Sequence, residues 1–64
     1  MMKEEEVKQR ILGMLAEQQE MDDSAIGETL QIPRGMLDSI LTSLVEEGRI
    51  DCHQEGKAAV YSLV

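Results

Sequence analysis

The strongest constraint on this chain is an order of segments. A short apolar helix pattern, a tight corner, a longer helix pattern and a glycine stop lead into two alternating runs around Glu55-Gly56-Lys57. Ile26 and Leu30 share one face of a helix predicted over Ser24 to Gln31, with Gly27 beside them. Ile32 marks the corner, and Pro33 suits the first turn of the next helix, where its missing N–H has no helical acceptor. That helix is predicted over Pro33 to Glu47. Leu37, Ile40, Leu41, Leu44 and Val45 recur at threes and fours and are expected to face a core. Gly48 then stands where a left-handed residue ends a helix. Ile50 and Cys52 alternate with Asp51 and His53, and Tyr61 and Leu63 alternate with Val60 and Ser62, which predicts a hairpin.

Upstream, Val7, Ile11, Met14 and Leu15 form one stripe of a first helix over Glu4 to Gln19, widened by Leu12. Glu4, Glu5 and Glu6 in its first turn favour the helix dipole. Gly13 costs such a helix about 1 kcal/mol relative to Ala and suggests close approach of a neighbouring helix. The period breaks between Gln18 and Asp23, where Asp22 or Asp23 can cap the second helix. The expected class is α+β: one domain over residues 1–64, with three helices and a C-terminal two-stranded β-hairpin.

Size and charge narrow the function. A chain of 64 residues has room for one small core, which must be aliphatic because Tyr61 is its sole aromatic residue. Five methionines supply adaptable filler. Thirteen acids against six bases give a net charge of -7, so the molecule as a whole repels polyanions. The imbalance is milder from Arg34 onward, where Arg34, Arg49 and Lys57 face Asp38, Glu46, Glu47, Asp51 and Glu55. A single cysteine excludes an internal disulfide and suits a reducing compartment. No apolar run approaches the roughly 18 residues of a membrane span. The acidic start Met1-Met2-Lys3-Glu4-Glu5-Glu6 lacks a secretory apolar segment. These features make the cytoplasm the expected location and leave no role for a membrane partner.

The segment from Ile26 to Leu37, with Leu41 to Ile50, resembles the winged helix-turn-helix superfamily of bacterial and archaeal regulators. With the first helix and the hairpin "wing", the resemblance covers nearly the whole chain. It implies a module that offers its third helix and wing to a partner, which in that superfamily is often DNA but can be Z-form nucleic acid or another protein. The spacing from Ile11 to Tyr61 is similar to Zα domains, whose contact positions match Arg34, Asp38, Ser39 and Thr42, then Ala58, Ala59 and Tyr61 here. Asp38 stands where that family has a donor, and Ser39 where it has a cation. The FeoC-like ferrous-transport family is also similar, but of its wing cysteines this chain has only Cys52, so no cluster role carries over. Many members of the superfamily have Gly where this chain has Gln31. If that residue takes positive φ, Gln costs very roughly 1 kcal/mol more than Gly.

The nucleic-acid contact surface implied by this resemblance comprises Arg34, Gly35, Ser39, Thr42 and Ser43 on the third helix, with His53 and Lys57 in the wing. Arg34 can meet a phosphate or a guanine edge, and the hydroxyls can donate to phosphate oxygens. Asp38 and Glu46 oppose such binding, so weak or context-dependent DNA recognition is the first expectation. A protein-docking winged helix that leaves nucleic acid alone is the alternative, since a mixed Met36, Ser and acidic face needs no cations. Enzymatic chemistry is not expected. Cys52 and His53 are neighbours on a strand and point to opposite faces, so they cannot act as nucleophile and base. Asp51 and His53 share a face but lack a third ligand, so no metal or other cofactor is expected, and Cys52 is read as a small buried residue. Without helices beyond the hairpin to build a dimer, a monomer or weak homodimer is expected, or a piece of a larger protein.

Overall fold

The computed structural model describes residues 3–64. Helix α1 spans Glu4–Gln18, strand β1 Glu20–Asp22, helix α2 Asp23–Leu30 and helix α3 Arg34–Glu46; strands β2 (Ile50–Glu55) and β3 (Ala58–Leu63) follow. The fold is α+β, and its sheet differs from the two-stranded expectation. Three antiparallel strands lie in the order β1-β3-β2. β2 and β3 do form the hairpin, with Cys52 opposite Tyr61 and His53 opposite Val60. The added strand is β1, whose Met21 pairs with Tyr61 on the other edge of β3. Three residues are too few to display a period of two, and their partner strand lies far along the chain, so nothing local announces this strand.

One aliphatic core joins all three helices to the sheet. Val7, Ile11 and Leu15 of α1 meet Ile26 and Leu30 of α2, and Leu37, Ile40, Leu41 and Leu44 of α3, with Ile50 at the base of β2. Met14, Met21, Met36 and Tyr61 pack around its margin, which is the filler role expected of the methionines. Val45 departs from expectation: it is 37% exposed, while its neighbour Leu44 is fully buried. One residue further round the last turn of α3 carries the side chain off the core face. Cys52 is also exposed, not buried. It follows Ile50 on an edge strand that is exposed from Asp51 to Glu55, so the hairpin projects past the core.

Local chemistry explains the boundaries. The Ala25 N–H donates to Asp22 Oδ1 at 2.7 Å, so Asp22 closes β1 and caps α2 at once. Gln31 ends α2 at φ 55, ψ 46, in the left-handed region, where its N–H reaches the Gly27 carbonyl at 2.8 Å. The corner therefore keeps the geometry that glycine would favour while carrying a side chain. Pro33 sits one place before α3, in extended conformation, and its carbonyl accepts the first helical bond from Leu37 at 3.0 Å. Around Gly13 nothing lies within 4 Å of where a Cβ would stand, so no neighbouring helix approaches there. The close approach is at Gly27, where an added Cβ would lie 3.1 Å from Leu37 Cδ2.

One ion pair ties the first helix to the C-terminal cap of the third. Lys8 is 8% exposed, and its Nζ donates to Glu47 Oε2 at 2.7 Å. That bond raises the Lys8 pKa and lowers that of Glu47, against the opposing effect of desolvation on each.

Candidate partner-binding face of α3 and the hairpin

Arg34 is the only cationic side chain on α3, so its surroundings decide the electrostatics of that helix. The helix starts immediately after Pro33, which sets Arg34 in the first turn beside the start of α2. There its Nη2 donates to Asp23 Oδ2, and its Nε lies 3.3 Å from Asp38 Oδ1. Asp38 is the i+4 neighbour on the same helix, while Asp23 comes from the first turn of α2. A single guanidinium thus faces two carboxylates, and the group carries a local charge of -1. Arg34 and Asp38 are more than half exposed, so each contact is worth little in stability. Their effect is on what the surface can attract.

The remaining candidates fall into three settings. Gly35, Ser39 and Thr42 are exposed along α3, with Asp38 and Glu46 exposed beside them, and Ser43 is half-buried. Lys57 is exposed in the turn at the hairpin tip and makes no ion pair among the described residues. His53 sits between acids: its Nε2 is 3.0 Å from Glu55 Oε2 and 4.0 Å from Glu20 Oε2. Strand parity puts His53 on the sheet face opposite Ile50 and Tyr61, the two β2 and β3 residues that meet the core.

Two carboxylates beside His53 were not singled out from the sequence. Glu55 was recoverable, because residues two apart on a strand share a face. Glu20 was not, because its approach requires β1 and the register that sets Glu20 against Ser62. Tyr61, on the core side, has its phenol pushed up to about 12, chiefly by burial, with Cys52, Asp23 and Asp38 acting in the same direction.

Between α2 and α3 lies a cleft of about 290 Å³, floored by Ile32 and Leu37 and rimmed by Asp23, Glu28 and Arg34. Two carboxylates and one guanidinium leave this rim a net charge of -1, and with its apolar floor it can take a long cationic side chain, stem below and charge beside Glu28. A second cleft of about 320 Å³ between α1 and α2 contains none of the residues singled out from the sequence. Among the described residues, no helix is long and apolar enough to cross a membrane. Compared with models of protein families and with curated proteins, the chain matches none.

Proposed function

We propose that this chain is a winged helix-turn-helix recognition module whose third helix and hairpin dock a protein partner carrying basic side chains. The observation that carries the proposal is the pairing of Arg34 with both Asp23 and Asp38. Affinity for DNA comes largely from cations that displace counterions from phosphates. Here the one cation of α3 is already engaged by two carboxylates, and the net charge of -7 opposes approach. The acid-rimmed cleft at the same corner suits a lysine or arginine from a partner.

Weak duplex binding is the second reading. The exposed hydroxyls of Ser39 and Thr42 and the exposed Lys57 favour it, as donors a phosphate backbone could use. Titration of labelled duplex DNA at low salt separates the two. The wild-type protein is expected to show no binding at high micromolar concentration. The double variant Asp23→Asn, Asp38→Asn, which frees Arg34, is expected to gain a measurable, salt-sensitive signal. Saturable wild-type binding that disappears in Arg34→Glu and Lys57→Glu would overturn the protein-docking proposal in favour of DNA.

A further inference from the structure

The face of the sheet turned away from the helices gathers three donors, of which only His53 was among the candidate contacts above. Glu20 of β1 and His53 and Glu55 of β2 each offer one ligand atom, and these atoms all lie within 4.8 Å of one another. The sheet builds this convergence. His53 and Glu55 are two apart on β2 and share a face, while Glu20 reaches across from the opposite edge, over central strand β3. Val60, directly opposite both His53 and Asp22, lies beneath them. It is 8% exposed. The three donors are exposed to solvent, and Val60 shares their face of the sheet.

We infer that Glu20, His53 and Glu55 form a site for a first-row divalent cation, with Zn²⁺ as the reference ion. An imidazole nitrogen and two carboxylate oxygens make a mixed donor set that suits ions of borderline softness, whereas Mg²⁺ and Ca²⁺ prefer oxygen alone. Metal–ligand bonds of roughly 2.0–2.2 Å put tetrahedral ligand atoms about 3.3 Å apart. His53 Nε2 and Glu55 Oε2 are already 3.0 Å apart, and Glu20 Oε2 is 4.0 Å from the same nitrogen. Closing the set needs only side-chain rotation, since all three side chains are about half exposed. Water fills the remaining position. The histidine distinguishes this group from a patch of surface acids, which would hold any divalent ion diffusely.

The bound ion ties β1 to β2 across β3. Because β1 is a three-residue edge strand, this staple acts on the part of the sheet with the fewest other ties.

Calorimetric titration of the full chain with Zn²⁺ and separately with Mg²⁺ tests the site. Zn²⁺ is expected to bind one ion per chain, to raise the thermal midpoint and to slow amide exchange in β1; Mg²⁺ at equal concentration is expected to do neither. His53→Ala and Glu20→Gln are each expected to weaken Zn²⁺ binding roughly tenfold or more, since loss of even an outer-shell partner has that effect. Glu28→Gln, which removes the same charge elsewhere, and Cys52→Ser, which removes the thiol on the opposite face, are expected to leave it intact. In the unmodified protein, Zn²⁺ is expected to shift the His53 ring resonances in proportion to occupancy. Equal responses to Zn²⁺ and Mg²⁺, unmoved His53 resonances, or undiminished binding in His53→Ala would overturn the inference.

Discussion

Replacing Leu44 with alanine is expected to leave the protein largely unfolded at physiological temperature. Leu44 is fully buried where α3 meets the other helices and the base of the hairpin. Truncating a leucine in such a place costs about 2–5 kcal/mol, in lost transfer energy plus the cavity that remains. A domain of this length has a total stability of about 3–10 kcal/mol, and a small core with flexible methionines at its margin belongs at the lower end. The loss is therefore comparable to the whole. Chemical denaturation followed by circular dichroism checks this. Val45→Ala, one residue along the same helix, is expected to change the midpoint little, because Val45 is 37% exposed.

Gly48→Val is expected to cost about 1–3 kcal/mol, although nothing crowds the position of an added Cβ. The Gly48 N–H donates to the Val45 carbonyl and the Arg49 N–H to the Leu44 carbonyl, both at 3.0 Å, in the paired pattern that closes a helix through a left-handed residue. Gly48 holds φ 75, which a β-branched residue strongly resists. Around its missing Cβ nothing lies within 4 Å, so the penalty comes chiefly from the backbone. Relieving that strain would break the two bonds and misdirect Ile50, whose burial anchors β2. Gly13→Ala supplies the opposite sign. It has the same open surroundings but lies within α1, so it is expected to stabilise by up to about 1 kcal/mol. Thermal unfolding of the two variants side by side gives both values.

The legible parts of this fold are those whose signal is local. Leu37, Ile40, Leu41 and Leu44 announce α3 through spacing alone, and Gly48 announces its end. A cap at Asp22 or Asp23 also follows from residue type and position, whereas the left-handed turn at Gln31 was raised only by the glycine that many winged helix-turn-helix proteins have there, since glutamine itself resists it. Where the outcome depends on distant partners, sequence is mute. β1 forms because β3 offers it an edge, and Val45 misses the core because burial ends one residue earlier round the helix. Cys52 keeps the expected alternation with His53 yet stays exposed, because β2 runs beyond the helices.

The candidate face divides in the same way. The i+4 spacing of Arg34 and Asp38 was readable as a helical ion pair. The second carboxylate, Asp23, belongs to the neighbouring helix and appears only once the corner is folded. That difference turns Arg34 from a candidate phosphate contact into a group facing two acids. Likewise His53 and Glu55 were legible as strand neighbours, but Glu20 joins them only through the register of the third strand.

The character of the third helix's face depends most directly on the state of Arg34. Nitrogen-detected NMR of the guanidinium Nε–Hε groups at low salt reads it without mutation, using exposed Arg10, which has no ion pair among the described residues, as the internal reference. Arg34 Hε is expected to exchange with solvent more slowly than Arg10 Hε, and to approach the Arg10 rate when Asp23 and Asp38 are both changed to asparagine. Equal exchange of the two arginines in the wild-type protein would contradict the account, because the third helix would then carry a free cation.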